Sequence, residues 1–253
     1  MTLGRELFTK TLVYHLYQEA ALRYHFKYVL PKIQEITLEG MRFDVSQLSP
    51  KIRNRLLSGA YEEYEKAMCR DFLKPTDTVV ELGAAIGFIG LLCQKELGIQ
   101  NYASFEANPK TTEILKRNYA LNNAKPNVYN LALGAADGQV DLEIGSDFWE
   151  NSIVSASNAK SDGGAHVVRV ECGTLDTLLK RCGLMPNVMI IDIEGAETFI
   201  DFHALPPTVN KVIMEIHPGV IGQAAAYDIV AALVNRGFRV AREQNQTFAF
   251  LRK

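Results

Sequence analysis

From Thr78 onward, short β-branched runs alternate with helical stretches, and that alternation restricts the fold more than any other feature of the chain. Residues 78–82, 102–106, 128–131, 139–144, 166–171, 187–193 and 211–216 read as strands, and 88–97, 110–121 and 227–236 as helices. The pattern predicts an α/β domain: a doubly wound, mostly parallel seven-stranded sheet with right-handed crossovers and helices on both faces. Residues 238–242 and 247–251 end the chain as two more strands, so close in sequence that they must form an antiparallel hairpin.

Ahead of this domain the pattern differs. Residues 1–34 read as a helix, with Leu3, Leu7, Leu12, Leu16, Leu22 and Phe26 at roughly helical spacing and Pro31 closing the run. Tyr14, Tyr17, Tyr24 and Tyr28 make it aromatic. Its basic residues are scattered around the helix, which fits packing on the domain or in a homo-oligomer better than rest on a membrane surface. A hairpin over 36–45 turns at Glu39-Gly40, and 58–73 reads as a helix stopped before Pro75. The expected division is an extension over 1–57 and a main domain over 58–253.

Composition sets outer limits. The chain has 253 residues and a net charge of −2 with no basic block, so nucleic acid is not an expected partner. No stretch approaches the ~20 apolar residues of a membrane span. Cys69, Cys93, Cys172 and Cys182 lack metal-ligand spacing and read as reduced thiols, which suggests a cytoplasmic protein.

Two strand ends carry the chemistry. The segment Val79-Val-Glu81-Leu-Gly83-Ala84-Ala85-Ile-Gly87-Phe88 is a strand, a glycine turn and a helix start. Gly83 permits a tight turn, Gly87 a close approach, and the helix N-terminus favours an anion such as a carboxylate. A dinucleotide is the alternative ligand, and with it an NAD(P)-dependent oxidoreductase. Its fingerprint needs glycine where Ala85 and Phe88 stand. Glu106 lies 23 residues beyond Gly83 at the next strand's tip, where a carboxylate can accept from both ribose hydroxyls.

The second strand end is Ile191-Asp192-Ile-Glu194-Gly195-Ala-Glu197, followed downstream by Glu215-Ile-His217. Asp192 and Glu194 share parity, so on a regular strand both face one way; Glu215 and His217 do likewise on the next strand. Asp192, Glu194 and His217 are the candidate catalytic residues. His217 could serve as general base, with an unperturbed pKa near ~6.5. Alternatively Asp192, Glu194 and Glu215 could hold Mg²⁺. The unadorned reading is that Glu194 and Glu197 favour the N-terminus of a following helix.

Four blocks together resemble the FkbM-type methyltransferases: Gly59-Ala-Tyr61-Glu62 with Glu65, Glu81-Leu-Gly83-Ala84-Ala-Ile-Gly87, Phe105-Glu106-Ala-Asn108-Pro109, and Asp192-Ile-Glu194-Gly195-Ala-Glu197 with Glu215-Ile-His217. The likeness covers roughly residues 58–217. Glu81 stands where that family usually has Asp, Ala85 where Asn is common, and Ala107 where Pro is common. The resemblance implies a class I, Rossmann-like methyltransferase fold and S-adenosylmethionine as donor. It further implies O-methylation of a sugar or natural-product small molecule. By that likeness Tyr61, Glu62, Glu81, Gly83, Ala84, Gly87, Glu106, Asn108 and Asp192 line the cofactor, with Ala132 and Leu133 as the adenine wall. A methyltransferase fold kept only as a binding subunit would show a damaged acidic site; here its acids are present. The serine- and glycine-rich stretch 145–165, with Trp149 near its start, reads as a loop and a lid over the acceptor.

Overall fold

The structure, a computed structural model, describes residues 33–145, 152–153 and 166–252. The predicted helix over 1–34, with the oligomer contact expected of it, falls outside them except for its last two residues, and so does Trp149. The chain divides into two compact units, the first ending at Tyr61 and the second beginning at Glu62.

In the first unit, β1 (Glu35–Leu38) and β2 (Met41–Asp44) form the expected hairpin. Glu39 and Gly40 both have positive φ, which suits a two-residue turn between twisted strands. A helix the periodicity did not suggest follows, α1 (Pro50–Leu57), capped by Ser49 Oγ with proline in its first turn. Arg53 ties the unit together, donating to the carbonyls of Leu48, Ser46 and Ile33 while Met41, Phe43, Ile52 and Leu56 are buried. A buried guanidinium satisfied by three carbonyls avoids the cost of an unpaired charge.

The second unit opens with α2 (Glu63–Phe72), which starts later than the sequence suggests because Glu62 is left-handed at φ +48°. Its main sheet is built from β3 (Thr78–Leu82), β4 (Asn101–Glu106), β5 (Asn127–Asn130), β10 (Val188–Ile191), β11 (Lys211–Glu215), β12 (Phe238–Gln244) and β13 (Thr247–Arg252). The order across the sheet is β12-β13-β11-β10-β3-β4-β5. The pairings from β11 through β10, β3 and β4 to β5 are parallel; those of β13 with β11 and β12 are antiparallel, so the sheet is mixed and ends in the expected hairpin.

Strand alternation sends the sheet's side chains into two helical layers. Val80, Leu82, Ala103 and Phe105 join one apolar cluster with Leu178 of α5 (Leu175–Cys182) and Ile229 and Leu233 of α7 (Gln223–Asn235). The opposite face meets α3 (Phe88–Leu91), which runs on as a π-helical turn to Glu96, and α4 (Pro109–Leu121). There Ser104 Oγ bonds Glu81 and the Tyr119 hydroxyl, both at 2.9 Å.

Residues 139–144 and 166–171 are strands, as predicted, but not of this sheet. β7 (Gly138–Ile144) and β9 (His166–Gly173) pair in a separate four-stranded sheet with β6 (Ala132–Leu133) and β8 (Ser152–Ile153), ordered β6-β9-β7-β8. β8 also corrects the reading of 145–165 as unbroken loop. Among the described residues no helix is long and apolar enough to cross a membrane. All four cysteines are buried and free of disulfide bonds.

Candidate active site

Strand ends gather the site. In a parallel sheet, the loops after adjacent strands emerge side by side at the carboxyl edge, where ligands of such folds bind. β3 and β10 are adjacent, so the glycine loop 83–87 and the acidic loop 192–197 meet there. A Cβ on Gly83 would lie 1.6 Å from the Asp192 carbonyl oxygen. Gly83 is therefore glycine because of Asp192, and its φ of +85° adds a second reason.

Gly87 likewise answers to protein rather than to ligand: a Cβ there would sit 2.5 Å from Leu115 Cδ1. Between the two glycines, Ala85 is left-handed at φ +45°, a conformation asparagine adopts more readily than alanine. Several of the loop's polar groups are tied to protein. Gly83 N and Ala84 N donate to the Phe105 carbonyl, Gly87 N donates to the Ala84 carbonyl, and Asn118 Nδ2 donates to the Ile86 carbonyl. Asn118, wholly buried on α4, had no sequence signal beyond its place on a predicted helix.

Glu106 ends β4 across from this loop. One carboxylate oxygen accepts from Ala85 N at 2.9 Å and the other from Asn108 N at 2.8 Å. Burial pushes its pKa up to about 7 against the pull of these donors. Backbone N–H groups do not exhaust the lone pairs of a carboxylate, so Glu106 can still accept from a ribose hydroxyl. Asn108 caps α4 by accepting from Lys110 N. Glu81 is buried in the sheet, raised to about 7 by burial, with the Ser104 hydrogen bond opposing the rise. Ala132 joins a small apolar cluster beside Ala107, whereas Leu133 belongs to the main core. Tyr61 is buried at the end of the first unit, and Glu62 supplies the left-handed residue before α2.

The acidic loop is of another kind. β10 stops at Ile191, and Glu194 and Gly195 are left-handed at φ +49° and +103°. The parity argument for Asp192 and Glu194 thus fails, because the strand has ended; a turn brings the two carboxylates together instead. β11 ends at Glu215, and His217 stands immediately before the short helix α6 (Pro218–Ile221). Its Nδ1 lies 2.6 Å from Glu197 Oε1. Around Nε2 stand Glu194 Oε2 at 3.4 Å, Asp192 Oδ1 at 3.6 Å and Glu215 Oε1 at 4.0 Å. Ligand atoms of Asp192, Glu194 and His217 fall within 4.8 Å of one another; Glu215, predicted as the third metal ligand, stands at the margin and His217 takes its place.

Glu197 was the residue sequence reasoning undervalued. Rather than merely favouring a helix start, it is fully buried and clamps the imidazole. Burial by itself would lower the His217 pKa, but the Glu197 hydrogen bond and the charges of Asp192 and Glu194 carry it to about 9. The carboxylates around the ring thus favour its protonated form. Asp192 is pushed well above the usual carboxylate range by burial and by Glu215 and Glu194, with His217 opposing. Its Oδ1 is buried and has no hydrogen-bond partner.

The chain is similar in structure to several solved proteins. The ribosomal protein L11 methylase from Lactobacillus delbrueckii subsp. bulgaricus shares 15% identity, over 76% of this chain and 79% of that one, at a TM-score of 0.42. A methyltransferase from Pyrococcus furiosus shares 12%, over 75% and 80%, at 0.41. M. jannaschii TYW2 in complex with AdoMet shares 14%, over 88% of each chain, at 0.44. A search of curated protein sequences finds no match. The family model described as methyltransferase FkbM domain matches residues 81–240, which hold the glycine loop, Glu106 and the whole acid–histidine cluster. On that match the chain belongs to the FkbM family of S-adenosylmethionine-dependent methyltransferases.

Proposed function

We propose that the chain methylates a hydroxyl of a sugar or natural-product small molecule, with S-adenosylmethionine as donor. One observation carries this reading: Asp192, whose Oδ1 is buried without a hydrogen-bond partner, packs by its own backbone against Gly83 of the cofactor loop. The proton acceptor and the methyl donor's loop are therefore neighbours.

The donor supplies an electrophilic methyl group on a cationic sulfonium. Glu106 would hold the ribose, and the carboxylates of Asp192 and Glu194 give the negative potential a sulfonium favours. Asp192 Oδ1 accepts the hydroxyl proton. Glu197 holds the His217 ring, and the ring's positive charge keeps Asp192 and Glu194 close to each other despite their like charge. Acceptor orientation by carboxylates that take sugar hydroxyls contributes a further share of the rate. Three partly exposed carboxylates at the mouth, those of Asp192, Glu194 and Glu215, would repel a phosphate backbone, which supports a neutral acceptor over nucleic acid.

The test is methyl transfer from labelled S-adenosylmethionine to a panel of sugars, polyols and transfer RNA. Wild-type protein should label a neutral hydroxyl compound. Asp192→Asn should lose roughly 10²–10⁴-fold in single-turnover rate, the usual size of a general-base effect, while still binding the donor. Labelling of RNA alone, or a near-wild-type rate in Asp192→Asn, overturns the reading.

A further inference from the structure

The geometry points to a divalent transition-metal site made by Asp192, Glu194 and His217, with Glu197 as the residue that orients the imidazole. The inference rests on the reading of the same site and changes two roles when an ion is bound: Asp192 is then a ligand rather than the free base, His217 is neutral rather than cationic, and a hydroxyl bound to the ion would be acidified. It names a different ligand set from the three carboxylates that suggest Mg²⁺, and a different class of ion.

Three features carry it. First, the separations around His217 Nε2 suit a shared ion rather than direct contacts. Glu194 Oε2 at 3.4 Å and Asp192 Oδ1 at 3.6 Å are long for charge-assisted hydrogen bonds. Two donors each ~2.1 Å from one ion at the tetrahedral angle lie roughly 3.4 Å apart.

Second, the other ring nitrogen is already committed. Glu197 has 0% of its side chain exposed, and its Oε1 sits 2.6 Å from Nδ1. A carboxylate on the far nitrogen fixes the tautomer and turns the near nitrogen to the metal, the usual support of a ligating histidine. Glu197 Oε1 also accepts from Gly195 N at 3.2 Å, which ties the carboxylate to the turn, and its Oε2 is buried without a partner.

Third, Asp192 Oδ1 faces the cluster as a buried acceptor lacking a donor, while 29–34% of the Asp192 and Glu194 side chains is exposed, so an ion can enter. On binding, the ion takes the place of the Nε2 proton, which leaves to solvent. One imidazole with two carboxylates suits Mn²⁺, Co²⁺ or Zn²⁺ better than Mg²⁺ or Ca²⁺, which prefer an all-oxygen set.

The experiment titrates metal-stripped protein with Mn²⁺, following loss of the free-ion paramagnetic resonance signal, with Mg²⁺ as competitor and neither donor nor acceptor present. One Mn²⁺ per chain should bind, and Mg²⁺ should compete at least tenfold more weakly. Glu194→Gln and His217→Gln should each lose tenfold or more in affinity, and Glu197→Gln about 10–100-fold at unchanged circular dichroism and melting temperature. Glu194 is partly exposed, so its variant should fold even where His217→Gln does not. No Mn²⁺ binding by folded wild type, binding unchanged in Glu194→Gln and His217→Gln, or equal competition by Mg²⁺ overturns the inference. Methyl transfer failing while Mn²⁺ binds would count against the proposed function alone; the reverse result would count against the metal alone.

Discussion

The loops after β3 and β10 begin on neighbouring strands and touch at Gly83 and Asp192, yet they are stabilised in opposite ways. The glycine loop is a closed structure. The N–H groups of Gly83, Ala84, Ala85 and Gly87 are met by the Phe105 carbonyl, the Glu106 carboxylate and the Ala84 carbonyl, and the two glycines make room for Asp192 and Leu115. The acidic loop sets three carboxylates around one imidazole, with Glu215 of β11 as a fourth, and leaves Asp192 Oδ1 and Glu197 Oε2 without partners. Buried unsatisfied groups and clustered like charges are costly, and they gather where chemistry needs them. One loop is a template and the other a reactive surface. Their shared backbone contact sets the distance between them.

The strongest challenge to that comparison is Gly83→Ala. A Cβ 1.6 Å from the Asp192 carbonyl, at φ +85°, should cost roughly 3–5 kcal/mol from overpacking and a left-handed alanine together. Urea unfolding measures it. A loss under about 1 kcal/mol would mean the two loops are not locked together.

A smaller effect separates the loops by pH. Glu106 has its pKa raised to about 7 in the folded chain against an unfolded value near ~4.3. The folded, ligand-free protein therefore holds this proton more tightly, and the associated stability is lost as pH rises from ~4.3 to about 7. Ribose hydroxyls donate to the ionised form. Donor affinity should consequently climb, by up to about tenfold per pH unit, until pH reaches about 7 and then level off. Calorimetry across that range tests this, and Glu106→Gln should flatten the rise. A flat profile in wild type would remove Glu106 from the ribose.

The smallest expected change refines the template itself. Ala85→Asn keeps the left-handed turn with a residue that tolerates it, and should stabilise by about 0.5–1 kcal/mol, or ~1–4 °C in Tm. A destabilised variant would show that the Ala85 methyl group packs against something the loop requires.

Much of this was legible in the chain. Strand–helix alternation gave the layered sheet, Glu39-Gly40 the hairpin, and the glycine and Asp-x-Glu-Gly-x-Glu blocks the two loops. Other points were not. α1 has too short an apolar pattern to stand out and is visible mainly through Ser49-Pro50. The strands β7 and β9 look like any others in sequence; that they leave the main sheet depends on pairing between segments far apart. Parity placed Asp192 with Glu194 for the wrong reason, since no local signal marked the strand's end at Ile191.

The sequence by itself determined the alternating elements, the loop residues and the family, because periodicity, turn chemistry and motif spacing are local properties. Only the tertiary structure decided that Gly83 yields to Asp192, that Glu197 rather than Glu215 is the close partner of His217, and that carboxylates surround the ring and raise its pKa. Those facts arise from residues brought together across the sheet's carboxyl edge. Burial and neighbouring charge, which no single segment encodes, set distances and pKa values there.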